Sequence, residues 1–239
     1  VFIVAEIGNN HEGNFKRCLD LIDKAKSCGV DAIKLQTSNP KLFYERNQKK
    51  RLKQLNSFSL NKEELTAIKK FCDTKKIHFF STPLDVESAK FLNSIQSFFK
   101  ISSGDNNFFD LIDTVLHYNK PIFISTGLAD NKQIEKIYKH IQKRWKRISN
   151  KKFFVFLHCV SCYPVLSDDV NLSAIQTLKK KFKNLQVGYS DHCRGIQAAV
   201  LSVALGARVI EKHFTDNKNY SDFRDHQLSA DPEEMKELV

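Results

Sequence analysis

The chain of 239 residues is 41% apolar, enough for one large domain with its own packed core. No apolar run approaches the ~20 residues that cross a bilayer, so no helical membrane span is expected and the protein reads as soluble. The 38 Lys and Arg outnumber the 27 Asp and Glu, giving a formal charge of +11, which raises a nucleic-acid or polyanion partner. The basic clusters at 49–53, 143–147 and 179–181 argue against one. They fall in a long loop and at two helix ends with no aromatic stacking platform between them, as solvated faces do.

The chain opens at Val1 inside an apolar run, with no initiator Met, signal peptide or transit segment ahead of it, and so reads as a piece excised from a longer protein. Residues 2–6 form the first expected strand. A helix follows, its apolar face set by Phe15, Cys18, Leu19, Ile22 and Ala25. Further short runs rich in Ile, Val and Phe recur at 32–36, 78–81, 98–101, 121–125, 153–158, 186–189 and 208–212. Helical patterns separate them, such as Ile134, Ile137, Tyr138 and Ile141. The oversized connection at 37–61 reads as a loop. Asp231-Pro-Glu-Glu234 reads as an N-cap, a proline at the first helical position and a carboxylate at the third, so the eighth unit is present but cut short. Eight βα units without a linker or repeat predict one α/β domain over 1–239, a (β/α)8 TIM barrel with a parallel eight-stranded core. The six cysteines, at 18, 28, 72, 159, 162 and 193, lack the density of a secreted scaffold and point to a reducing cytoplasm. Cys159 and Cys162 have CxxC spacing, but no second pair completes a zinc site.

Barrel enzymes build their sites from the C-terminal ends of several strands, and here those ends are polar. In chain order they carry Glu6, then Lys34 and Gln36, Ser81-Thr82, Lys100 with Ser102, Ser103 and Asp105, Ser125-Thr126, His158-Cys159 with Ser161 and Tyr163, Ser190-Asp191-His192, and Glu211-Lys212-His213. Taken singly each has an ordinary explanation: Ser and Thr cap helices, Glu211 and Lys212 pair with each other, Glu6 is a satisfied carboxylate. Each buried polar group left unsatisfied costs ~1–3 kcal/mol, so eight strands ending this way call for a site. His192 and His213 end neighbouring strands, where two imidazoles suit manganese, iron, cobalt, zinc or nickel and leave positions open for a Lewis-acid role. Lys34 and Lys100, with Thr82, Ser103, Ser125 and Ser190, form an expected anion site for a phosphate or carboxylate.

The blocks Ala5-Glu-Ile-Gly-Asn-Asn-His-Glu-Gly13, Lys34-Leu-Gln-Thr37, Ser81-Thr-Pro83, Lys100-Ile-Ser-Ser-Gly104, Ser125-Thr-Gly127, His158-Cys159 with Tyr163-Pro164, Ser190-Asp-His192 and Glu211-Lys-His-Phe-Thr215 resemble, in order and over nearly the whole chain, those of the sialic acid synthases. The resemblance implies condensation of phosphoenolpyruvate with an N-acetylated amino sugar aldehyde to give a nonulosonic acid and phosphate. It implies that His192 and His213 hold Mn2+ or Mg2+, and that Lys34, Thr82, Lys100, Ser103, Ser125 and Ser190 contact phosphoenolpyruvate. Glu6, Gln36, Tyr163 and Asp225 are then the positions that bind or orient the sugar and the attacking atoms.

Two departures stand out. Members using N-acetylmannosamine typically carry Glu after Ser-Gly, placed to handle water or a sugar hydroxyl, where this chain has Asp105. Many have Asn after His-Cys-Thr, where this chain has Ser161. These changes imply a different amino sugar, such as the diacetamido precursors of legionaminic or pseudaminic acid. The family's C-terminal antifreeze-like domain, whose arginine closes the neighbouring subunit's site in a swapped homodimer, is absent from these residues. The competing reading on the same barrel is a Schiff-base aldolase with Lys34, Lys100 or Lys212 as amine; a non-catalytic polyanion-binding barrel is the third. Borohydride reduction in the presence of pyruvate should leave no covalent adduct, while a chelator should abolish phosphate release from phosphoenolpyruvate; a trapped lysine would establish the aldolase instead.

Overall fold

Each of the eight apolar runs forms a parallel strand in the computed structural model, which describes residues 1–43, 48–145 and 153–239. The strands are β1 (Phe2–Gly8), β2 (Ala32–Thr37), β3 (His78–Pro83), β4 (Phe99–Ile101), β5 (Ile122–Ser125), β6 (Phe154–Cys159), β7 (Gln186–Asp191) and β8 (Val209–His213). The helices between and after them are α1 (Phe15–Ser27), α2 (Pro40–Phe43), α3 (Lys49–Phe58), α4 (Lys62–Thr74), α5 (Val86–Leu92), α6 (Phe109–His117), α7 (Asn131–Trp145), α8 (Ser173–Lys181), α9 (Gln197–Ala204), α10 (Asp225–Leu228) and α11 (Pro232–Leu238). The hydrogen-bonded order runs β3-β2-β1-β8-β7-β6-β5-β4, and β3 lies beside β4. The sheet is thus rolled into a nearly closed barrel, the fold class predicted. No helix among the described residues is long and apolar enough to cross a membrane.

Successive side chains of a strand point to opposite faces, and this sorts the barrel into two cores. Outward residues such as Ile3, Ala5, Ile7, Ile33 and Leu35 pack with Leu21, Ile22 and Ile68 of α1 and α4. On the other side Ile122, Ile124, Phe154, Phe156, Val187 and Ile210 pack with residues of α6 to α8. The lumen is filled by Val4, Ala32, Phe80, Phe123, Val155, Leu157 and Val209 over Phe2 and Phe98. Full burial of each Val, Leu, Ile or Phe side chain among them contributes about 1.5–3 kcal/mol. One pleat further along, the same faces carry Glu6, Lys34, Thr82, Lys100, Ser125, Cys159 and Glu211. The lumen therefore changes from apolar to charged within a single layer.

The opposite parity takes Lys212 and Asp191 out of the lumen. Both are fully buried and joined at 3.0 Å, the ammonium also donating to Cys193 O at 2.5 Å. The expected pairing of Lys212 with Glu211 is therefore corrected, because neighbours on a strand face opposite ways. The connection at 37–61 is corrected as well. It contains α2 and α3, the 49–53 basic run lies on α3 rather than in a loop, and Phe58 of α3 meets the Phe223 ring edge-on at 5.2 Å. At Gly13 (φ +78) an added Cβ would stand 1.9 Å from Ser57 O, so glycine is what lets α3 lie against the first βα loop. Of the 143–147 cluster, 146 and 147 fall outside the described residues. The cap at Asp231 and Glu234 forms as predicted, with Pro232 at the helix start.

Among the described residues no ladder joins β3 to β4. Gln96, just before β4, closes the seam: its Oε1 accepts from Ser81 N at 2.8 Å, and its carbonyl accepts from Lys120 Nζ at 2.7 Å. Gln96→Leu should leave the Ser81 N–H buried without an acceptor and cost about 1–3 kcal/mol. This would be read as a lower urea midpoint at unchanged m-value.

Candidate active site

A cavity of about 280 Å3 opens at the C-terminal ends of the strands. All the predicted site residues except Asp105 line it: Glu6, Lys34, Gln36, Thr82, Lys100, Ser103, Ser125, Ser161, Tyr163, Ser190, His192, His213 and Asp225. Asp105 is not brought in. It ends a 3-10 turn, Ser103–Asp105, that carries it round to the far side of Ser103. There it accepts from Ser102 Oγ at 2.5 Å and faces a separate hollow with Leu84 and Phe108.

The floor is a compact group of buried charges. Lys34 Nζ lies 2.9 Å from Glu6 Oε1 and 3.7 Å from Glu211 Oε2 and donates to Thr82 Oγ1 at 3.1 Å. Lys100 Nζ donates to both Glu211 oxygens at 2.6 and 2.8 Å, and Ser190 Oγ donates to Glu211 Oε1 at 2.9 Å. Gln36 donates to Glu6 Oε1 at 3.0 Å and accepts from Asn9 at 3.1 Å. Burial alone would push the Glu211 carboxyl up, but Lys100 and Lys34 together hold it below the ordinary carboxylate range. For Glu6 burial outweighs Lys34, and its carboxyl is raised. Burial would lower the Lys34 ammonium, yet Glu211 and Glu6 hold it up. Burial prevails at Lys100 and draws it down.

The wall opposite is aromatic. Tyr163 stacks on His192 at 4.2 Å, the Arg224 guanidinium lies 4.4 Å above the Tyr163 ring, and the His192 and His213 ring centres are 5.4 Å apart. His192 Nδ1 lies 2.9 Å from Val160 O, so Nδ1 carries the hydrogen and Nε2 keeps its lone pair. His213 Nδ1 is buried with no hydrogen-bond partner, Asp225 Oδ2 being 4.0 Å away. Burial and the neighbouring His192 hold His213 well below the ordinary imidazole range, and thus neutral, as a ligand must be. Burial opposes a charge on His192, but the Cys159 sulfur, 3.7 Å from Nδ1, the Val160 carbonyl and Glu211 together offset it and raise the imidazole. A buried ring nitrogen without a partner beside a second imidazole fits a divalent cation. Among the described residues no group of three or more His, Cys, Asp or Glu is arranged to hold one, so a cation there would have at most these two imidazoles as protein ligands.

Glu211, Cys159, Arg224 and Asn9 also line the cavity; Glu211 and Cys159 stood among the polar strand ends but none of the four was assigned a role from the sequence. For Glu211 a signal existed, since it stands two residues before His213 and must share its face. Gly127 marks how closely the loops meet, because an added Cβ would stand 2.5 Å from Ser161 Oγ and 2.6 Å from Ser103 Oγ.

The family model described as the NeuB family matches residues 21–239. The chain is 44% identical over its whole length to an uncharacterised protein of Methanocaldococcus jannaschii, spanning 68% of it. It is 38% identical, over 99% of its length, to the N,N'-diacetyllegionaminic acid synthase of Campylobacter jejuni, spanning 73% of that protein. Among solved structures, the N-acetylneuraminic acid synthetase of Leptospira borgpetersenii superposes with a TM-score of 0.93 at 36% identity, over all of this chain and 81% of that one. The chain belongs to the NeuB family.

Proposed function

We propose that this enzyme condenses phosphoenolpyruvate with the open-chain aldehyde of an N-acetylated amino sugar, giving a sialic acid-type nonulosonic acid and phosphate. The observation that carries the reading is that one cavity is lined both by lysines and hydroxyls suited to an anion and, across it, by a pair of imidazoles fit for a divalent cation. The names of the relatives support the same chemistry, and the diacetyllegionaminic acid synthase among them favours a diacetamido sugar. The six free cysteines fit a cytoplasmic setting, and the full-length protein is proposed to be a homodimer.

In this reading Lys34 and Lys100 supply the positive charge for the phosphate and carboxylate, and Thr82, Ser103, Ser125 and Ser190 supply directional donors. The enol carbon of phosphoenolpyruvate bonds to the aldehyde carbon, water adds to the resulting cation, and phosphate departs. His192 and His213 would hold Mn2+ or Mg2+, which when bound would supply Lewis-acid polarisation of the aldehyde oxygen. Glu6, whose Oε2 has no partner and whose carboxyl is raised by burial, holds or moves the proton at the attacking face. Tyr163, Gln36 and Asp225 orient the sugar, with Ser161 beside them.

Incubation with phosphoenolpyruvate and a panel of N-acetylated hexoses, read by product mass, tests the activity directly. His192→Ala and His213→Ala should each abolish phosphate release, and full activity in either would remove the metal assignment. Lys100→Ala should raise KM for phosphoenolpyruvate more than it lowers kcat.

Glu211→Ala should destabilise the fold by about 3–5 kcal/mol, because it leaves two buried ammoniums without their shared partner. Added inorganic phosphate should restore more stability to this variant than to the wild type in thermal melts. Since Glu211 is held below its unfolded value, its contribution is complete above about pH 4.3. The stability difference between wild type and variant should hold from neutrality down to that point and shrink as the pH falls further.

A further inference from the structure

The cavity at the barrel mouth is small for two reactants. Its volume of about 280 Å3 lies at the lower edge of the ~300–1,000 Å3 in which proteins enclose a single ligand. A second cavity of about 610 Å3 opens beside it. The two share Leu128, Cys159 and Ser161, so one layer of side chains separates them. Beyond that partition the second cavity is bounded by the turn after β5 and by the first turns of α8, where Ala174 and Thr177 face it.

Its lining carries little charge. Among the described residues no lysine or arginine borders it. Its one carboxylate, Asp130, is engaged in accepting from Gln133 N at 2.7 Å. His158 is bonded to Val170 O at 2.9 Å, and burial lowers its imidazole, leaving it neutral. Small apolar surfaces alternate with hydroxyls and amides, a lining that offers nothing to an anion but matches methylenes carrying an amide. Behind the His192 ring, Nδ1 contacts Val160 O and Cys159 Sγ, and both residues wall the second cavity. Ser161 borders both cavities, so a substituent that passes it leaves the first cavity for the second.

Resting on the synthase reading above, we propose that the second cavity is a subsite for an N-acyl substituent of the amino sugar larger than acetyl. Its occupant is an uncharged acylamino chain, and Ser161 is the threshold it crosses.

The test compares N-acetyl and N-hexanoyl forms of the accepted amino sugar with phosphoenolpyruvate, in the wild type and in Ala174→Phe and Thr177→Trp. Both substituted positions lie on the outer wall, half-buried and exposed respectively, so the fold tolerates bulk there. The wild type should use both sugars, whereas each variant should keep its N-acetyl rate and lose at least about tenfold in kcat/KM for the hexanoyl sugar. Equal losses on both sugars, or refusal of the hexanoyl sugar by the wild type, would overturn the subsite. A second readout needs no turnover. Cys162 is an exposed thiol lining this cavity, and its alkylation by iodoacetamide, followed by peptide mass, should be slowed by the hexanoyl sugar, not by the acetyl sugar, and not in Ala174→Phe. Such protection without any phosphate release would sustain the subsite and sink the condensation. Phosphate release with alkylation indifferent to acyl length would do the reverse.

Discussion

Four charges buried in the lumen, those of Glu6, Lys34, Lys100 and Glu211, hold one another in place, and the geometry of the site follows from their balance. Each alone would cost several kcal/mol to take out of water. As two carboxylates and two ammoniums within 2.6–3.7 Å of one another, they neutralise locally. Because they come from β1, β2, β4 and β8, the balance also ties strands from both sides of the barrel to a common centre. An anion entering the cavity, as proposed, would not meet bare positive charge but would compete with Glu211 for ammoniums already set in position.

The apolar core exists at the same depth and by the same rule. The residues that anchor the barrel to its helices and those that face the cavity alternate along every strand, so β8 supplies Ile210 to the packing layer and Glu211 and His213 to the site. Rigidity at the site is thus inherited from the packing of the intervening residues, with no separate supporting framework. The Arg224, Tyr163 and His192 stack adds the loops to this arrangement. It places the ring that orients His192 on the segment after β6 and the cation above it on the segment leading to α10.

Much of this was legible in the amino-acid sequence. The eight Ile-, Val- and Phe-rich runs stood out because strands covered on both faces are apolar throughout, and the polar residues closing them stood out against that background. What was lost was parity and local turning. Glu211 and Lys212 are adjacent charges that composition cannot tell apart, although the two-residue step from His213 separates them. Asp105 follows Ser103 by only two residues, yet a 3-10 turn rather than a strand lies between them, and the carboxylate leaves the cavity. The helix α3 was hidden because its Leu52, Leu55 and Phe58 spacing is embedded in a basic stretch that reads as solvated loop. Gln96 gave no signal at all, since a side chain standing in for a strand ladder leaves no periodic trace.

The sorting of residues by alternation has a consequence for how such a protein can diversify. Inserting or deleting one residue within a strand exchanges its two faces. In β8 this would drive Lys212 into the lumen and turn Glu211 and His213 into the helix layer, forfeiting charge balance and chemistry in one step. Replacement at a lumen position alters one contact, whereas a length change within the strand breaks the reading frame of the fold. Length changes are therefore tolerated best in the turns beyond the strand ends, the same turns that shape the walls of both cavities, so those walls can change while the charged floor stays fixed.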